Sequence, residues 1–171
     1  MTRFEKYYQT LEEPYRTQYL RRIAAWGRPT LSRAIRLAEQ LEVAGLADPE
    51  GWVFSEIEED HAQAVRFAML KCMWQEGALP AAENDFWLKE DPEHGRTLAR
   101  INEVLSPEEK RAFFLEVARA IGFHMLNALD GGFLNDDLPG WAIMEYTPDD
   151  EPTGREVLAL HESMHEVWTD P

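Results

Sequence analysis

Ser106-Pro107-Glu108-Glu109 opens the longest apolar stripe in the chain, and that stripe restricts the fold more than any other feature. Ser106 can cap a helix, Pro107 suits the first helical position, and Glu109 can reach back to close a capping box. Behind this start Phe114, Val117, Ile121, Met125 and Ala128 recur at spacings of three and four, the period of one helical face. A helix over about 107–129 is therefore expected at the centre of the core, with Phe114, Val117, Ile121 and Met125 buried together. Gly122 within it costs about 1 kcal/mol relative to alanine, which implies a close approach or a bend.

Other segments carry the same period. A helical region over about 3–26 places Tyr15, Tyr19, Ile23 and Trp26 on one stripe, with Pro14 starting its second half and Gly27 and Pro29 ending it. A second helix runs from Leu31 to Ala44, lined by Leu31, Ala34, Ile35, Ala38 and Leu41, with Gly45 as its C-terminal stop. Ser55 with Glu58 reads as a capping box opening a helix over about 56–76, with Ile57, Ala64, Val65, Ala68, Met69 and Cys72 inward. Residues 78–91 read as irregular. Asp91-Pro92 starts a helix carrying Leu98, Ile101 and Leu105, and Thr153 with Glu156 opens a terminal helix carrying Val157, Leu160, Met164 and Val167. Trp52-Val53-Phe54 and residues 141–146 read as two short strands that pair with each other. The expected fold is a mainly α, single-domain bundle of five or six helices with a minor two-stranded β element, spanning 1–171.

Charge and cysteine usage narrow the function classes. The net charge is −15, but residues 1–47 hold 8 Lys/Arg against 5 Asp/Glu, a net of +3, leaving 9 against 27, a net of −18, for the rest. Such a chain repels phosphate backbones and anionic lipid and attracts cationic partners. Hydrophobic residues at 44% suffice for a core and exclude a disordered chain. Cys72 is the single cysteine, which excludes an internal disulfide and a cysteine-based zinc site and, between Met69 and Met73, reads as a buried thiol in a reducing cytoplasm. The first residues lack an apolar leader core, and no apolar run reaches the ~20 residues of a membrane span.

Two motifs suggest chemistry. His161-Glu162-Ser163-Met164-His165 is an H-E-x-x-H on a predicted helix, the spacing that puts two imidazoles on one face for zinc with the glutamate as general base. Only six residues follow, so a third ligand would come from upstream: His124, Asp130 or Glu145. Glu166 also puts a charge where such motifs usually have none, so neither metal nor cofactor is expected. Residues 29–48, followed by Trp52-Val53-Phe54, resemble the recognition helix and wing of winged-helix proteins, with Arg28, Arg33 and Arg36 toward the nucleic acid. The short Ile23–Leu31 spacing and the acidity of the remainder oppose DNA binding. Asp130, Asp136 and Asp137 lack the order of a calcium loop.

Residues 123–168, through Phe123-His-Met-Leu-Asn-Ala-Leu-Asp-Gly131, Gly140-Trp-Ala-Ile-Met-Glu145 and Leu160-His-Glu162, resemble small acidic bacterial immunity-type proteins, partners of polymorphic or contact-delivered toxins. The resemblance implies a non-enzymatic inhibitor that occludes a basic toxin's active site, and makes Leu160-His161-Glu162 part of a structural ending. The expected contact residues are Trp87 and Phe133 as apolar anchors among Asp85, Glu90, Asp130, Asp136 and Asp137. The alternatives are a metal-dependent hydrolase at His161, Glu162 and His165, and a winged-helix regulator at 28–54.

Overall fold

A computed structural model of the chain describes residues 1–80, 92–131 and 141–168. Among them are eight α-helices, one π-helical stretch and a two-stranded antiparallel sheet. The helices are α1 (Arg3–Tyr8), α2 (Tyr15–Ala24), α3 (Arg28–Val43), α4 (Pro49–Glu58), α5 (Gln63–Cys72), α6 (Pro92–Val104), α7 (Pro107–Gly131) and α8 (Leu160–Val167). The π-helical residues are Met73–Ala78, and the strands are β1 (Met144–Tyr146) and β2 (Pro152–Glu156). The fold is mainly α with a minor β element. The chain divides into two compact units: Met1–Val65 with Met144–Val157, and Arg66–Ile143 with Leu158–Pro171.

The first unit follows its local signals closely in α3. Ala34, Ala38 and Leu41 are buried, as their spacing requires. Gly45 takes φ 100°, and the Leu46 N–H donates to Leu41 O while the Gly45 N–H donates to Glu42 O. That is a Schellman ending, which needs a left-handed residue where glycine stands. The predicted 3–26 helix instead divides into α1 and α2, with Pro14 at the N-cap of α2. The division lets Tyr8 stack on Tyr19 at 4.6 Å and Tyr19 meet Phe54 edge-on at 4.8 Å.

Three local expectations fail. Trp52-Val53-Phe54 is not a strand but the middle of α4, which starts at Pro49; a three-residue apolar run has no period of its own, and all three side chains are buried. Ser55 is not a cap. It lies inside α4, donating to Glu59 Oε2 at 2.7 Å and accepting from Gln63 Nε2 at 2.9 Å. The next helix waits until Gln63, beyond Asp60 at φ 57°. Thr153 does not cap a terminal helix either: it lies in β2, the true partner of β1, with Met144 opposite Glu156 and Tyr146 opposite Pro152. The unequal spacing of these pairs marks a bulge on β2, where Gly154 has φ 85°.

A buried ion cluster ties this hairpin to α4. Arg155 donates to both oxygens of Glu145, at 2.7 and 2.6 Å, and to Glu56 Oε1 at 2.6 Å. Thr153 Oγ1 adds a bond to Glu145 Oε2 at 2.7 Å, and Glu56 Oε2 accepts the Ala64 N–H at 3.0 Å. Burial works against the ionised Glu145, but the Arg155 and Thr153 bonds and the Arg155 and Arg33 charges outweigh it and hold its carboxyl below the usual range.

In the second unit Phe67, Leu70, Trp74, Leu98, Leu115, Leu126, Leu160, Met164 and Trp168 form the core. Cys72 is exposed rather than buried, because α5 turns Phe67 and Leu70 inward instead of Ala68 and Cys72.

Arg155→Met removes the guanidinium shared by the buried Glu56 and Glu145 and leaves them Arg33, the Ala64 N–H and the Thr153 hydroxyl, so we expect a loss of about 3 kcal/mol in chemical denaturation. Glu145 has a depressed folded pKa. Its contribution is therefore present above the unfolded carboxylate value and is lost as pH falls through the folded one. Melts taken from pH 7 down to pH 3 should show this acid-side loss in the wild type and a smaller one in Glu145→Gln.

Candidate functional site: an exposed apolar face on α7

The start of α7 is built as its sequence reads. The Ser106 N–H donates to Glu109 Oε2 at 2.8 Å, and the Glu109 N–H donates to Ser106 Oγ at 3.2 Å. The expected core face is wrong. Leu115, Gly122 and Leu126 are the buried positions, whereas Phe113 is 52% exposed, Val117 37%, Ile121 55% and Met125 56%. Phe114 is only partly buried. The helix is apolar over most of its circumference, and among the described residues it alone is long and apolar enough to cross a membrane by length and composition. A sequence period cannot choose between two apolar sides.

Tertiary packing makes the choice at Gly122. The Trp168 ring lies so close that a Cβ on Gly122 would stand 2.2 Å from Cη2 and Cζ3. Trp168 is held there by an Nε1–H donated to Leu70 O at 2.8 Å and by stacking on Trp74 at 5.2 Å. Arg119 in turn lies over the Trp74 ring at 5.3 Å and pairs with Glu116 at 2.7 Å.

The H-E-x-x-H segment forms α8, beside α7. Phe123 contacts both imidazoles, edge-on to His161 at 5.7 Å and stacked on His165 at 6.4 Å. Asp130 Oδ2 lies 2.6 Å from His161 Nδ1 and accepts the His161 backbone N–H at 2.9 Å. Asp130 thus caps α8 from α7, where Ala159 at the N-cap has a left-handed backbone and supplies no side-chain cap. Arg66 supports the same turn by donating to Ala159 O at 2.6 Å; burial lowers its pKa against the charges of Glu162, Asp130 and Glu166. A groove of about 640 Å³ between α7 and α8 is lined by Glu116, Arg119, Phe123, His124, His165 and Trp168 among others.

The residues singled out from sequence fare unequally. Asp130, expected on a partner-facing surface, is turned inward with an 8% exposed side chain. Asp85, Trp87, Glu90, Phe133, Asp136 and Asp137 lie outside the described residues. Of the upstream candidates for a third metal ligand, His124 is exposed, Asp130 is bonded to His161, and Glu145 is bonded to Arg155. Among the described residues no three of His, Cys, Asp and Glu are grouped to hold a metal ion. Arg28, Arg33 and Arg36 are exposed along α3, but the predicted wing at 52–54 is helical. The exposed α7 stripe was visible as a pattern, but its direction was not. Comparison of the chain with protein-family models, curated proteins and solved structures finds no match.

Gly122→Ala should force the Trp168 ring away and cost about 1–3 kcal/mol. In a double-mutant cycle with Trp168→Ala, the two losses should be strongly non-additive, and additivity would place the strain elsewhere.

Proposed function

We propose that this chain is a protein-binding inhibitor of a basic partner, in the manner of an immunity protein that occludes a toxin's active site. The observation that supports this reading is the row of large apolar side chains on α7 left open to solvent. Contiguous exposed apolar surface marks interaction sites, and binding energy concentrates in such anchors.

Charge and apolar surface have separate roles in this reading. Along α7 itself, Glu108, Glu109, Glu116 and Asp130 are nearly balanced by Lys110, Arg111 and Arg119. The net of −18 over residues 48–171 therefore acts mainly as a long-range field. It speeds the encounter with a cationic protein, while the desolvated stripe sets how slowly the complex dissociates.

The test uses the wild type, Ile121→Asp and Val117→Asp. Both positions are exposed, so both variants should fold with stability within about 0.5 kcal/mol of wild type. A basic protein should be retained by the wild type and lost with either variant. Its association rate should fall as salt rises, with dissociation much less affected. Retention unchanged by Ile121→Asp, or association indifferent to salt, would remove this reading.

A further inference from the structure

We propose that His161 and His165 hold a borderline divalent metal ion, of the Zn²⁺ or Ni²⁺ kind, in an open clamp of two imidazoles whose remaining positions are taken by water. The clamp lies on α8, goes beyond the partner-binding reading of α7 and does not depend on it.

Two histidines four residues apart on a helix share one face, with about 5–6 Å between their Cβ atoms, within reach of a single ion. Both imidazoles of α8 lie against the same ring, that of Phe123, at 5.7 Å for His161 and 6.4 Å for His165. From sequence, metal is disfavoured because no third ligand follows the motif. The structure supplies no third ligand either, since among the described residues no three of His, Cys, Asp and Glu are grouped to hold an ion. That leaves no basis for a closed zinc centre. It does not bear on a clamp of two.

What the structure adds is a carboxylate behind the first imidazole. Asp130 Oδ2 lies 2.6 Å from His161 Nδ1. An ionised carboxylate can only accept, so Nδ1 carries the proton and a neutral His161 keeps its lone pair on Nε2. A carboxylate in this position fixes the tautomer of a metal-binding histidine, holds the ring in place and raises its basicity. Asp130 is itself held there, because the same oxygen accepts the His161 backbone N–H at 2.9 Å. No sequence period reveals this pairing, as the two residues are 31 positions apart.

The surrounding charge favours a cation. Glu162, Asp130 and Glu166 all act on Arg66, so three carboxylates share this turn with one guanidinium. Arg66 is directed at Ala159 O, at 2.6 Å. Glu162, His165 and Glu166 are exposed, which gives an ion access from solvent. The donors set its class: imidazole suits zinc, nickel and copper, whereas magnesium and calcium prefer oxygen ligands.

Cys72 is an exposed thiol and a competing ligand for the same ions, so the test uses the full chain carrying Cys72→Ser. Calorimetric titration with Zn²⁺ or Ni²⁺ should show a single saturable ion per chain, and Mg²⁺ should give none. His165→Gln, at an exposed position that should fold normally, should abolish the binding, and His161→Gln should do the same. Asp130→Asn keeps an acceptor for the His161 backbone N–H but loses the charge, and should weaken binding about 10–100-fold. His124→Gln, in the neighbouring groove, should bind like its parent. Zn²⁺ should also raise the melting temperature of the parent and not that of His165→Gln. No saturation by about 1 mM of either ion overturns the proposal. So does binding undiminished in His165→Gln, or an equal response to Mg²⁺, which would assign the ion to the carboxylates.

Discussion

The contact of the Trp168 ring with the backbone of α7 at Gly122 decides how the second unit is arranged. It is possible only because residue 122 has no Cβ. Once the ring is seated, with its indole N–H committed to Leu70 O and its face on Trp74, the inward side of α7 is fixed as Leu115, Gly122 and Leu126. The opposite side, equally apolar, has nowhere to go but outward. Asp130 completes the arrangement from the far end of α7: its Oδ2 accepts the backbone N–H of His161 in the first turn of α8 and lies 2.6 Å from the His161 Nδ1.

The first unit rests on a different device. Its hairpin has only three and five residues per strand, too little to stand alone. Arg155 supplies the missing attachment by joining Glu145 of β1 to Glu56 of α4. Two buried carboxylates around one guanidinium define a single geometry, because any slip of β2 would strand a charge. The bulge at Gly154 precedes Arg155 and breaks the ladder's regular alternation at this point.

These two arrangements bear on function in opposite ways. The polar groups that look reactive in sequence, Asp130, Glu145 and His161, are engaged in holding elements in place. The residues that look structural, Val117, Ile121 and Met125, are the ones left to solvent. The proposed binding role draws on that exposed apolar surface rather than on these polar groups.

The sequence alone determined the features with short-range physical causes. The Ser106–Glu109 capping box, the Gly45 helix ending and the inward face of α3 each depend on a few neighbouring residues, and each was legible. The helical class followed from the same sum of local signals. What the tertiary structure decided were choices between locally equivalent answers. Ser55 and Thr153 have the composition of helix caps, yet Gln63 and Glu145 offered their hydroxyls other bonds. Trp52–Phe54 could pair or coil until Pro49 and the surrounding core made it helical. On α7 two apolar sides were equally good by periodicity, and only the distant Trp168, packing where a glycine allowed it, determined which of them faces the solvent.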